Sequence, residues 1–232
     1  MADQLALALA LQDHATFDNF WQSSSNRLAL RSAQTLAAQP GPGQLHLVGP
    51  EGSGRSHLLQ AVCHQLLAAG ETAVYLPLAL LCEQAPAAVL EGLDAAAALC
   101  LDDLHGVLGD PAWDEALFHL YNRLRERGGR WLSAAHAAPG QLRCSLPDLR
   151  SRLGWGLVCQ LAVLGDDERC AALQWRARRR GLDISDEVAR FILHRAPRDL
   201  ASLFELLERL DRQALAHKRR LTIPFLKSLL DW

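Results

Sequence analysis

Gly49-Pro50-Glu51-Gly52-Ser53-Gly54-Arg55-Ser56 sets three glycines between an apolar run and a helical pattern. Upstream, residues 44–48 form a short strand candidate. Downstream, residues 57–69 carry Leu58, Ala61, Val62 and Leu66 on one helical face and stop at Gly70. A strand, a glycine loop and a helix in this order match the G-x-x-x-x-G-K-[ST] phosphate loop, with Arg55 where lysine is usual. The glycines let backbone N–H groups turn inward around a phosphate chain, and the helix N-terminus adds its positive dipole end. Gly49, Gly52, Ser53, Gly54, Arg55, Ser56 and His57 are therefore the expected nucleotide contacts, with the Ser56 hydroxyl offered to Mg²⁺. The competing reading is a glycine loop that only joins strand to helix. No lysine precedes Lys218, so none nearby can replace Arg55. A forked guanidinium binds phosphate but suits a transferring γ-phosphate less well than a compact ammonium. The expectation is binding of ADP or ATP rather than rapid hydrolysis.

Working outward, strand-like runs alternate with helical patterns, which predicts an α/β fold with a parallel sheet. Further strand candidates are residues 72–78, 97–101, 130–135 and 157–164. Helices are expected over residues 86–93 and from Asp110-Pro111 to about Arg127, where a capping side chain precedes proline at the first helical position. The run Leu99-Cys100-Leu101-Asp102-Asp103 delivers Asp102 to a strand end, where Mg²⁺ on a bound nucleotide would sit, and Asp103 to the slot of a water-orienting acid. Two acids solvated at a strand exit is the plainer reading. Strand patterns cease near residue 165. Residues 166–180, 185–195, 198–217 and 224–230 all read as helices, so a second, all-helical domain is expected there.

Half of the 232 residues are hydrophobic and 22% are charged, the balance of a globular chain. A net charge of -2 gives no global field toward nucleic acid or membrane. The charge is uneven: residues 1–100 hold three arginines, no lysine and eight acids, against 21 bases and 18 acids in 101–232. None of the six cysteines forms a CxxC pair or a zinc spacing, and buried reduced thiols in a cytoplasmic protein are expected. No apolar run reaches the length of a membrane span. The leucine-rich start has Asp3 where a signal peptide carries a base, so export is not expected.

With these motifs in order, the chain resembles an AAA+ ATPase domain: a parallel phosphate-loop sheet flanked by helices, followed by a small all-helical lid. The nearer resemblance is to the bacterial replication initiator DnaA. Arg150-Ser151-Arg152-Leu153-Gly154-Trp155-Gly156-Leu157 resembles the initiator's box VII, and Pro197-Arg198-Asp199-Leu200 lies where the lid carries its sensor 2 arginine. One departure is His136, at the end of the fourth strand, where the family expects an aspartate. Another is length. The phosphate loop begins at residue 49 and the chain ends at Trp232, so a stand-alone regulatory homologue of the Hda family is expected, without an initiator's DNA-binding domain.

That resemblance implies a role for each motif. Residues 1–15 would be a flexible peptide whose Gln4, Leu5, Leu7 and Leu9 dock on the DNA polymerase III beta sliding clamp, with residues 12–18 as tether. An N-terminal helix or strand packed on the core is the other reading of that segment. Residues 16–164 would be the nucleotide-binding domain and 165–232 the lid. Arg152 would be an arginine finger acting in trans on ATP held by DnaA, unless it forms a structural salt bridge at a helix end. Arg198 would reach the bound phosphates from the lid, unless it faces water at a helix end. Asp102 and Asp103 would complete the nucleotide site. The basic run 176–180 can touch DNA inside the clamp or serve as a solvated helix end. Partners would then be ATP-bound DnaA, the clamp, DNA indirectly, and a second copy of the chain, but no membrane. The alternative function is a self-sufficient homo-oligomeric ATPase, a loader or remodeller, in which Arg152 serves an identical neighbour.

Overall fold

The computed structural model describes residues 11–217 and 221–230, and these fall into two compact units that meet between Val163 and Leu164 in the chain. The clamp-peptide residues Gln4, Leu5, Leu7 and Leu9 lie outside the described residues.

The first unit runs α1 (Arg27–Ala38), β1 (Gly43–Val48), α2 (Arg55–Ala68), β2 (Ala73–Pro77), α3 (Pro86–Leu90), β3 (Ala98–Asp102), α4 (Pro111–Glu126), β4 (Arg130–Ala135), α5 (Pro147–Leu153) and β5 (Leu157–Gln160). Its five strands pair in parallel in the order β2-β3-β4-β1-β5. The central strands are buried on both faces, which is why they read as unbroken apolar runs rather than alternating ones. Alternate residues feed two cores. Leu45, Leu47, Ala98, Cys100, Leu132 and Ala134 face α1 and α2. Leu99, Leu101, Trp131 and Ala135 pack with Leu117, Leu120, Tyr121 and Leu124 of α4.

Several boundaries differ from the sequence-based expectation. The helix after the phosphate loop begins at Arg55, not at residue 57, because Gly54 takes the left-handed conformation and hands the chain directly into the first turn. β5 stops at Gln160 rather than running on to 164, since its only neighbour among the described strands, β1, ends at Val48 opposite Gln160. The helix expected over 86–93 ends at Leu90, and left-handed Gly92 starts a separate turn. The α4 start is as expected: the Asp110 carboxylate accepts from the Ala112 and Trp113 N–H groups at 2.8 and 3.2 Å. α1 and α5 have no counterpart in the sequence reading. Residues 12–18, expected as a tether, are partly held on α2. The Gln12 N–H donates to Gln60 at 2.8 Å, the Gln12 carbonyl meets His64 at 3.0 Å, and Ala15 is buried.

Two buried polar groups brace this unit. Asp114 accepts the Gly109 N–H at 3.2 Å and both the N–H and hydroxyl of Ser145 at 2.6 Å, tying α4 to the loop before α5. Asp114→Ala removes three hydrogen bonds to a buried carboxylate, each worth about 1.5–3 kcal/mol for a charged acceptor and less where exposed Gly109 and Ser145 turn to water instead. The expected loss is about 3 kcal/mol or more, read as a lower urea midpoint; an unchanged midpoint would show the bonds to be dispensable.

The second is His46. It lies in register with Ser133 on the neighbouring strand, on the α4 face of the sheet. Its ring meets the Ser133 hydroxyl at 2.8 Å and the Ala137 carbonyl at 3.3 Å. A carbonyl only accepts, so Nε2 carries the proton and Nδ1 accepts from Ser133. Burial lowers the imidazole from 6.5 to about 4; the Ala137 bond opposes the shift and nearby Arg55 adds to it. Because the folded value lies below the unfolded one, this contribution is fully present above about pH 6.5. It is lost as pH falls toward 4, by about 3 kcal/mol over the whole interval. His46→Gln should flatten the pH dependence of the urea midpoint between pH 7 and 4.5. A slope identical to that of the parent chain would rule His46 out.

The second unit holds α6 (Asp166–Arg179), α7 (Asp186–Leu193), α8 (Leu200–His217) and α9 (Ile223–Leu230) around one apolar core. Ser185, expected as the first residue of α7, is its cap: its hydroxyl accepts from the Val188 N–H at 3.3 Å. No described helix is long and apolar enough to cross a membrane. All six cysteines are free; five are buried as expected and Cys82 is exposed.

Candidate nucleotide and trans-acting arginine sites

The glycine loop lies between the end of β1 and the start of α2, at the carboxyl edge of the sheet, where α/β folds place ligands. Gly52 and Gly54 have φ of 74° and 94°, so side chains there would strain the loop. The Gly49 N–H donates to the Ala135 carbonyl at 3.2 Å, fastening the loop to the end of β4. Two polar atoms of the loop are buried without a hydrogen-bond partner, Ser53 Oγ and Arg55 Nη1. Buried groups of this kind are rare unless a ligand or water completes them. The donor set fits a phosphate chain.

Arg55 is only 7% exposed, and its Nη2 donates to Asp103 Oδ1 at 3.1 Å. Arg55 is thus fixed by the second of the strand-end acids. Asp103 is the one non-glycine residue with positive φ among the described residues, at 48°. Asp102 is buried at the end of β3 and accepts from the Asp103 N–H at 3.0 Å and from the Tyr75 hydroxyl at 2.7 Å. Tyr75, from β2, is a site residue that the sequence reading missed. Burial, followed by the Asp102 charge, raises its phenol far above the ordinary value. Tyr75 therefore stays a neutral donor to Asp102, one of the two groups expected at Mg²⁺. Each Asp102 oxygen keeps a free lone pair, so the set also fits an Mg²⁺ held through the nucleotide.

His57, on the outer side of the loop, contacts the Thr16 carbonyl at 2.8 Å and packs edge-on against Phe20. At the end of β4, His136 meets His105 with ring centroids 4.3 Å apart. Burial first, then His136, lowers the His105 imidazole.

Arg152 occupies the last turn of α5, partly exposed. Its guanidinium donates to Asn122 Oδ1 and lies 4.1 Å from the Phe118 ring centroid, both from α4. Trp155 stands three residues on, 67% exposed. Phe118 had no signal in the sequence, and Asn122 appeared only within the family-like run 120–124 with no role, because both roles depend on α4 lying beside α5.

Within the lid unit, Arg198 is exposed and pairs loosely with Asp166 at 3.7 Å. The basic run 176–180 is largely occupied. Arg176 pairs with Glu208 at 3.7 Å, and Arg180 with Glu208 and, at 3.5 Å, with Asp211. Arg179 lies over the Trp175 ring at 5.2 Å. These internal partners leave less free charge for DNA than the sequence run implies.

Comparison with known proteins agrees with this geometry. The family model for the bacterial DnaA ATPase domain matches residues 11–160, and the model for the Hda lid domain matches residues 166–230. Among solved structures, domain III of the Thermotoga maritima replication initiation protein DnaA is 22% identical, with a TM-score of 0.74 over 96% of this chain and 98% of that one. AMPPCP-bound DnaA from Aquifex aeolicus is 21% identical, with a TM-score of 0.69 over 89% and 71% of the two chains. The Holliday junction branch migration motor RuvB of Thermotoga maritima is 19% identical, with a TM-score of 0.64 over 94% and 71%. The parallel sheet with its phosphate loop and strand-end acids, followed by a lid of the Hda type, places the chain in the DnaA-related AAA+ family, as an Hda-like member of it.

Proposed function

We propose that the chain is a nucleotide-holding regulator of replication initiation that completes the hydrolytic site of a partner. It holds ADP, or ATP, in the loop 49–56. It tethers to the DNA-loaded sliding clamp through Gln4, Leu5, Leu7 and Leu9, docks on ATP-bound DnaA, and supplies Arg152 to the ATP held there. The product is DnaA in its ADP form, which does not initiate again.

The observation that carries this reading is the state of Arg152. The structural alternative for Arg152 is a salt bridge at a helix end, which requires an acid partner. Among the described residues no carboxylate pairs with Arg152; it rests on a neutral amide and an aromatic face. Its charge is therefore uncompensated and partly exposed. An arginine presented to an anion on another molecule needs that state, because a finger works by meeting charge that develops in the transition state. The chain's own site reads as a binder. The Asp103 carboxylate is bonded to Arg55 and is poorly placed to orient a water. Mg²⁺ bound with the nucleotide would screen the phosphate oxygens beside Ser56 and Asp102.

The test is single-turnover hydrolysis of ATP prebound to the cognate initiator, with DNA-loaded clamp, with and without this chain. Steady-state turnover by the chain alone is measured in parallel. Acceleration by the chain with negligible turnover of its own is the expected result. Turnover by the chain alone with no effect on the initiator would overturn the reading in favour of a homo-oligomeric ATPase.

A further inference from the structure

The carbonyls that end α5 are held by a residue more than a hundred positions earlier in the chain. Gln44, at the start of β1, donates from Nε2 to the Arg152 carbonyl at 2.7 Å and to the Leu153 carbonyl at 3.2 Å. Its Oε1 accepts from the Tyr121 hydroxyl of α4 at 2.7 Å. Both amide protons and the amide oxygen are thus used, and the side chain has one satisfied orientation. Tyr121 is itself buried, edge-on to Trp131 at 5.2 Å between centroids, so the anchor is rigid. Helix ends leave four carbonyls without partners within the helix; here the Arg152 carbonyl also accepts the Trp155 N–H at 3.1 Å, and a glutamine from another element adds a bond to it and one to the Leu153 carbonyl.

The chain leaving α5 is fitted to the same side chain. A Cβ on Gly156 would stand 2.5 Å from Gln44 Cγ and 2.6 Å from the Gln44 carbonyl oxygen. Only glycine lets the segment from α5 to β5 pass over Gln44 at this distance. Three elements therefore converge on the residue that carries the finger: β1 through Gln44, α4 through Tyr121, and the turn into β5 through Gly156.

We propose that Gln44, oriented by Tyr121, is the positioning residue of the trans-acting arginine: it fixes the backbone at Arg152 and so the point from which the guanidinium reaches the partner's nucleotide. This inference rests on the reading of Arg152 given above. Gln44 touches no reacting group and acts only through Arg152. A displacement of about 1 Å at a reacting contact can cost about 10²-fold in rate, so a small relaxation of the α5 end matters.

The deciding variant is Gln44→Glu, nearly equal in volume but presenting a carboxylate oxygen to the two carbonyls that Nε2 now serves. It is compared with the parent chain, Tyr121→Phe, Arg152→Ala and the Gln44→Glu/Arg152→Ala double variant. The readout is single-turnover hydrolysis of initiator-bound ATP with DNA-loaded clamp. Gln44→Glu should lower the saturating stimulated rate roughly 10- to 100-fold. The concentration giving half of the effect, and ADP binding, should stay within about twofold. In the Arg152→Ala background, Gln44→Glu should change nothing further, because its effect passes through the arginine. Tyr121→Phe keeps the ring and frees only the amide oxygen, so it should lower the saturating rate by about threefold. It decides the matter if thermal unfolding shows that Gln44→Glu does not fold. Full stimulation by a folded Gln44→Glu overturns the positioning role and leaves the proposed function standing. So does an additive loss in the double variant, or, where Gln44→Glu does not fold, full stimulation by Tyr121→Phe. No stimulation by the parent chain overturns both.

Discussion

Arg152→Ala is expected to lower the stimulated hydrolysis of initiator-bound ATP by about 10³-fold or more, the range found for arginine fingers. The size of the effect follows from where the charge acts. A guanidinium that meets the partner's phosphates only as they separate lowers the barrier without tightening the ground state. The loss should therefore appear in the saturating rate, with docking little changed. The fold should survive, since Arg152 is partly exposed and contributes one bond to Asn122 and one stacking contact on Phe118. Contacts of the second kind are worth about 0.5–1 kcal/mol at exposed sites. Arg152→Lys should fail nearly as badly. An ammonium can neither lie flat on Phe118 nor present two parallel donors. Stimulation by Arg152→Ala within tenfold of the parent chain would remove Arg152 from the site.

The second large effect is expected at the phosphate loop. Arg55→Ala should weaken ADP and ATP binding by about 10²-fold, as read by titration calorimetry. Arg55 has one nitrogen on Asp103 and another buried without a partner. Its removal loses a charge-assisted bond to phosphate, worth about 1.5–3 kcal/mol, which is roughly 10- to 100-fold in affinity. It also leaves the Asp103 carboxylate facing the phosphates without its counter-charge, which adds repulsion. Arg55→Lys should retain most of the affinity, because the positive charge stays near both groups, although one ammonium replaces two separate donors. Equal affinity in the alanine variant would mean that Arg55 serves only to hold Asp103.

Much of this architecture is written in local pattern. The glycine spacing, the apolar runs and the Asp110-Pro111 helix start are short-range signals, because backbone freedom, burial on two faces and end capping each act within a few residues. The same holds for the change from strands to helices near residue 165. Two helices gave no comparable signal. α1 mixes Leu28, Leu30 and Leu36 with small and polar residues, and its buried residues are Ala29, Leu30, Ala33 and Ala37. Three of those four are alanines, and alanine is weakly apolar, so the stripe shows only against the sheet it covers. α5 is seven residues long, and with only Leu149 and Leu153 buried it is too short to set a period.

For the sites the division is sharper. Chain order alone pointed to the glycine loop as the phosphate-site candidate and to the acids at the end of β3, since each is a contiguous motif whose chemistry depends on neighbours in the chain, whereas the candidate finger was identified through the resemblance of residues 150–157 to box VII. Which groups hold those residues in place was decided by folding. Tyr75 reaches Asp102 across 27 positions, Asn122 reaches Arg152 across 30, and Gln44 reaches it across 108. The physical reason is that a parallel sheet brings the ends of distant strands side by side, and a buried hydrogen bond takes whatever partner the packing provides, with no trace in local sequence of which one that will be.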